Sequence, residues 1–251
     1  MRGGGEIILQ ARDISKSYGG RTIIQSIFLA LGHGELVGLL GVSGAGKTTL
    51  FNVLSGLERP DGGTVLLKGQ DVTGTPGHIS YMLQKDLLLP HKRVVDNVAL
   101  PLVLRGRGKQ EARAQAASYF SAFGLEGAQD KYPAQLSGGM RQRAALLRTF
   151  LGSQGVALLD EPFSALDALT KREIHRWYMG MMDQLDLATL FITHDIDEAI
   201  LLADRVCVLA GQPGQIVEEL TIEPPRPREL SFALSQEFLA YKRKILSLLE
   251  A

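Results

Sequence analysis

The chain has 251 residues, 45% of them hydrophobic, and its 27 basic and 27 acidic side chains leave a formal net charge of zero. Such a chain buries a sizeable core in one large domain or two small ones, and the balanced charge excludes a global field drawing it onto nucleic acid or anionic lipid. No apolar run approaches the ~18 residues of a membrane span, the start "MRGGGEIILQ" lacks a signal-peptide core, and a single cysteine, Cys207, excludes an intramolecular disulfide; the chain is expected in the cytoplasm.

The first stretch, "EIILQARDISKSYGGRTIIQSIFLAL", reads as short alternating strands about a Tyr18-Gly19-Gly20 turn, hence a small antiparallel sheet. "ELVGLL" (35 to 40) is continuously apolar, as a strand buried on both faces of a parallel sheet must be. It runs into "GVSGAGKTTL", where Gly41-x-x-x-x-Gly46-Lys47-Thr48 lies between a strand and a helix, "KTTLFNVLSGL". That pattern is a phosphate-binding loop, the Walker A motif. Its glycines let backbone N–H groups close on phosphate oxygens, and the helix N-terminus adds partial positive charge. Lys47 reaches the terminal phosphates and the Thr48 hydroxyl can ligate Mg²⁺. The loop holds a nucleoside triphosphate, which leaves ATPases, GTPases and nucleotide kinases open. The only asparagines, Asn52 and Asn97, both precede valine, so no Asn-Lys-x-Asp guanine reader is present.

From about 92 to 150 the strand signal fades and helix formers dominate, notably in "KQEARAQAASYFSAF", as in a helical subdomain inserted into an α/β core. "LSGGMRQR" (136 to 143) makes a second anion-binding helix start: Ser137 can cap the helix or contact phosphate, and Gly138 and Gly139 permit close approach. "VALLDEP" (156 to 162) is a buried strand ending in Asp160 and Glu161, one carboxylate to hold Mg²⁺ through water and one free to act as general base. "TLFIT" (189 to 193) and "RVCVLA" (205 to 210) add strands and complete a doubly wound pattern. Cys207 reads as a buried structural thiol, and His194 closes the first of these strands, where it can reach a γ-phosphate. The other four histidines lack metal-ligand spacing. "EPPRPRE" (223 to 229) reads as a linker before a final helix with Leu234, Phe238, Tyr241, Ile245 and Leu248 on one face, packing back onto the domain.

In this order the motifs resemble the ATP-binding subunit of an ABC transporter: Walker A at 41 to 48, a Q-loop at Gln84, the signature at 136 to 140, Walker B at 156 to 161, a D-loop "SALD" at 164 to 167 and a switch histidine at His194. The resemblance implies a P-loop NTPase core with a mostly parallel sheet, an N-terminal antiparallel β subdomain and an inserted helical subdomain. It places an ATP-binding domain at 6–227 and a C-terminal helical extension at 228–251. ATP and Mg²⁺ are the implied cofactors. Tyr18 would stack on adenine, while Gly41, Ser43, Gly44, Ala45, Gly46, Lys47, Thr48 and Thr49 hold the phosphates. Thr48, Gln84 and Asp160 would hold the metal, and Glu161, His194 and Gln84 would act on the attacking water. Ser137, Gly138 and Gly139 would cover the ATP of a second copy in a head-to-tail homodimer.

The stretch "YMLQKDLLLPHKRVVDNVALPLVLRG" and the "RPRELS" segment are similar to ATPases of the nitrate, sulfonate, taurine and pyrimidine-precursor importer group. His91-Lys92 departs from it, since an aromatic commonly follows that proline. The implied partners are a membrane permease and, indirectly, a substrate-binding protein, with no nucleic acid, and the implied location is the cytoplasmic face of the cell membrane. An exporter ATPase is the alternative. A DNA-maintenance ATPase would need a coiled coil between 48 and 136, where no heptads run. Leu88 and Leu89, beside Gln84, are expected to face the permease and to tolerate Asp without unfolding.

Overall fold

A computed structural model describes residues 6–164, 168–185 and 187–250. β1 (Ile7–Tyr18) and β2 (Arg21–Gly32) form a hairpin about Gly19-Gly20. Each runs 12 residues rather than being short, because register shifts and left-handed residues at Asp13 and Ser26 bend them around the core. β3 (Leu36–Gly41) leads to α1 (Lys47–Leu54), then β4 (Gly62–Leu67), β5 (Gln70–Asp71) and β6 (Ser80–Met82). α2 (Val94–Leu104), α3 (Lys109–Ser118) and α4 (Gly138–Gly152) form the helical subdomain, with α3 stopping earlier than its helix formers predict. β7 (Val156–Asp160), α5 (Ala168–Leu185), β8 (Ala188–Ile192), α6 (Ile196–Leu202), β9 (Arg205–Ala210) and β10 (Gln215–Thr221) follow, and α7 (Leu230–Ala233) and α8 (Gln236–Glu250) close the chain.

The antiparallel sheet has the order β2-β1-β4-β5. The larger sheet runs β10-β9-β3-β8-β7-β6 and is parallel except for the edge pair β9 and β10. Every residue of β3 and β8 is buried, which is why their sequences are apolar without alternation. Alternate side chains feed two cores. Leu36, Leu40, Ala157 and Leu159 face the helical subdomain, α5, α6 and α8. Val37, Leu39, Val156 and Leu158 face α1 and the antiparallel sheet. Cys207 lies fully buried in the second core, and burial raises its thiol pKa. No helix among the described residues is long and apolar enough to cross a membrane.

Two expectations need correction. Leu234 is 79% exposed and caps the end of α7, so a break separates it from the apolar face that Phe238 and Ile245 bury against the first core. The "EPPRPRE" stretch is not a free linker. Arg226 Nε donates to Asp204 Oδ1 at 2.7 Å, and Arg228 donates to the carbonyls of Ile200, Leu201 and Ala203 at the end of α6. Those carbonyls would otherwise lack partners, so two arginines bolt the segment to the core.

Candidate nucleotide site

The phosphate loop exists because β3 stops at Gly41 and α1 starts at Lys47. Gly46, at the helix N-cap, has φ +96, and a Cβ there would lie 2.4 Å from Ile24 Cγ2, so only glycine fits. It offers no side-chain cap, and the first N–H groups of α1 remain available to an anion. Lys47 Nζ folds over the loop and donates to the carbonyls of Gly41 (2.7 Å) and Val42 (2.9 Å). Burial lowers its pKa, against the opposing pull of Glu161 and Asp160.

An open cleft of about 430 Å³ lies over this loop, within the range of small-ligand sites. Its floor is Ser43, Gly44, Gly46, Lys47, Thr48 and Thr49. Tyr18, Gln84, Asp160 and Glu161 stand around it. Gly41 and Ala45 are buried beneath the loop and shape it from below.

The two carboxylates differ in environment. Burial, and then the charge of Glu161, raise Asp160 above the ordinary carboxylate range, while the Tyr81 hydroxyl lies 3.4 Å from its Oδ2. Glu161 sits in the left-handed region at φ +46, with its N–H held by the Ile192 carbonyl. Gln84 Nε2 donates to Glu161 Oε2 at 2.9 Å, and His194 Nδ1 lies 3.1 Å from Oε1. The glutamine and histidine therefore hold opposite oxygens of one carboxylate. Among the described residues no three His, Cys, Asp or Glu converge as a metal cage. A half-buried carboxylate, raised by burial and then by Glu161 and lining the same cleft as Thr48, nonetheless suits a divalent cation that brings phosphate oxygens as further ligands.

Ser137, Gly138 and Gly139 do not line the cleft. Ser137 caps α4, accepting from the Met140 N–H at 3.2 Å. α4 is tied back to the cleft wall: Gln142 donates to the Pro162 carbonyl, and Arg148 grips the carbonyls of Asp86 and Leu87. Ala165, Leu166 and Asp167 of the "SALD" stretch lie outside the described residues.

Some contributors escape sequence reasoning. Gly214, in the turn between β9 and β10, pairs with the backbone of Ile23 and Gln25, and a Cβ there would lie 2.0 Å from the Ala45 carbonyl oxygen. Tyr81 stands on a strand of three residues, too short to show periodicity. Glu58 accepts from the Tyr18 hydroxyl and from Asn52 Nδ2, yet stands in an irregular loop with no motif around it. The triple leucine also departs from expectation. Leu88 is buried in the helical subdomain's core and Leu89 is half-buried, while Leu87 is 52% exposed.

Residues 24–164 match the ABC transporter family model. The chain is 41% identical over 245 residues to the formylaminopyrimidine import ATP-binding protein ThiZ of Halalkalibacterium halodurans, covering 96% of each. It is 37% identical to the nitrate import ATP-binding protein NrtD of Synechocystis sp., covering 96% of this chain and 94% of that one. The dimeric, post-hydrolysis structure of the ATP-binding cassette MJ0796 with ADP and Pi superposes with a TM-score of 0.74 at 26% identity, over 87% of this chain and all of that one. Phosphate loop, paired carboxylates and family match agree: the chain belongs to the ABC transporter family and is one of its ATP-hydrolysing cassettes.

Proposed function

We propose that the chain powers import through a separate membrane permease, as a head-to-tail homodimer at the cytoplasmic face of the membrane. The observation that carries this reading is the separation of two phosphate-binding helix starts in one chain: α1 floors the cleft, whereas the serine-capped start of α4 stays outside it. A second copy turned end for end would bring its Ser137, Gly138 and Gly139 over the nucleotide. ThiZ and NrtD, alike to this chain over almost its whole length, are named as import proteins, and the MJ0796 cassette is dimeric. Leu87, exposed beside Gln84, supports a docking surface for the permease there.

Within the site, Lys47 and the α1 N–H groups would bind the β- and γ-phosphates. Glu161, held at both oxygens by Gln84 and His194, would accept the proton of the attacking water. Thr48, Gln84 and Asp160 would hold Mg²⁺, which when bound neutralises charge on the phosphates. An external substrate-binding protein would deliver cargo to the permease.

The test uses two variants of the purified chain. Lys47→Ala should abolish ATP binding. Ser137→Arg should preserve binding and stop hydrolysis, and mixing the two should restore part of the turnover, because one mixed dimer holds one intact composite site. Equal loss of ATP affinity in both, with no rescue on mixing, would refute the two-chain site.

A further inference from the structure

We propose that Glu58 and Lys16 are positioning residues that hold Tyr18 as a rigid platform for a planar nucleobase. This rests on the reading of Tyr18 as the base-stacking residue and deepens it. Tyr18 lines the cleft and is 43% exposed, whereas Glu58, Lys16 and Asp61 do not line it. The phenol is anchored at its tip, where the hydroxyl donates to Glu58 Oε2. Glu58 is itself fixed, because its other oxygen accepts from Asn52 Nδ2 of α1 at 2.9 Å. The ring is also braced across its face. Lys16 Nζ lies over it, 5.4 Å from the centroid, a cation–π distance.

Lys16 cannot wander: its ammonium donates to the Arg59 carbonyl at 2.9 Å and pairs with Asp61 at 3.3 Å. Asp61 Oδ2 in turn accepts from the Ser17 N–H at 2.6 Å, which ties the residue before Tyr18 to the same loop. An aromatic ring at a strand end beside a two-residue turn would otherwise sample several rotamers, and the freedom lost on binding weakens stacking. One carboxylate and one ammonium remove that freedom beforehand. The ammonium also draws electron density from the ring, which leaves it a less negative surface for an electron-rich purine.

The experiment measures binding of ATP and of inorganic tripolyphosphate, each with Mg²⁺, to the wild-type chain and to Tyr18→Ala, Glu58→Ala, Lys16→Met and Tyr18→Ala/Glu58→Ala. Thermal melts of every variant accompany it. Tripolyphosphate lacks the base, so its affinity should stay within about twofold throughout. ATP affinity should fall about ten- to a hundredfold in Tyr18→Ala and about three- to tenfold in each positioning variant. The double variant should be no weaker than Tyr18→Ala alone, since Glu58 has nothing left to position. If Tyr18→Ala weakens ATP while Glu58→Ala and Lys16→Met do not, the platform role is wrong and the stacking role stands. If Tyr18→Ala itself spares ATP binding, the stacking reading fails and the proposal with it. Equal losses for ATP and tripolyphosphate would mark a general structural role and overturn the proposal.

Discussion

Glu161 carries the heaviest demand on any single side chain. It occupies a left-handed backbone conformation that costs a non-glycine residue about 1 kcal/mol or more, and Gln84 and His194 grip its two oxygens. Glu161→Gln preserves the shape and both contacts but removes the base, so turnover should fall by about 10²–10⁴. ATP should still bind and should hold two copies together on size exclusion. Undiminished turnover would move the base elsewhere. Gly214 shows a second way for one residue to govern the site. An added methyl meets the Ala45 carbonyl, backbone that cannot yield without moving the phosphate loop. Gly214→Ala should weaken ATP binding, because the phosphate loop must shift to clear the added Cβ, while circular dichroism stays native. Calorimetry on the purified variant decides it.

At the scale of elements, the segment joining β6 to α2 links nucleotide site and helical subdomain. It remains irregular because Asn97, fully buried on α2, supplies its hydrogen bonds: Nδ2 donates to Leu89, Lys92 and Arg93 carbonyls and Oδ1 accepts the Leu89 N–H. Arg148 of α4 holds the other end, at Asp86 and Leu87. Leu88 points into the core between these clamps. Leu88→Asp buries an unpaired carboxylate and should unfold the helical subdomain, visible as a lost or strongly lowered melting transition. Leu87→Asp should melt within about 2 °C of wild type, being a surface change, yet lose co-purification with the permease. A folded Leu88→Asp, or a Leu87→Asp that still co-purifies, would contradict this division of the leucines.

For the whole molecule, α5 and α6 are joined by a charged cluster at the edge of the first core. Lys171 Nζ lies 2.7 Å from Asp195 and 2.8 Å from Glu198, and His175 Nε2 lies 3.2 Å from Glu198. Burial works to raise Glu198, but His175, Lys171 and Thr193 outweigh it and hold the carboxyl below its ordinary value. Asp195 is likewise lowered: burial opposes, and Lys171 and the Glu198 N–H prevail. Folded values below the unfolded ones mean that this stabilisation is complete above the ordinary carboxylate pKa. It is lost as pH falls through the depressed values. The melting temperature should therefore drop on acidification below about pH 4. Glu198→Gln should cost about 1–3 kcal/mol at neutral pH and flatten that acid limb. A variant that melts with wild-type pH dependence would remove the cluster from the account.

The sequence by itself determined the chemistry that local pattern can encode. The glycines of the phosphate loop require a particular backbone, the continuously apolar runs of β3, β7 and β8 suit strands buried on both faces, and a carboxylate pair ends one of those strands. Partners brought together from afar were decided only by tertiary structure. Glu58 reaches Tyr18 across 40 residues, Gln84 reaches Glu161 across 77, and Gly214 underlies a loop more than 160 positions earlier. No local pattern marks such pairs, because each residue is ordinary in its own segment. The same limit explains the C-terminal segment and the triple leucine. Proline-rich composition and helical periodicity do not reveal that Arg226 and Arg228 satisfy core acceptors, or that Asn97 turns Leu88 inward. Burial is a property of the whole packed chain, and a side chain's neighbours exist only once the sheets and helices have closed around it.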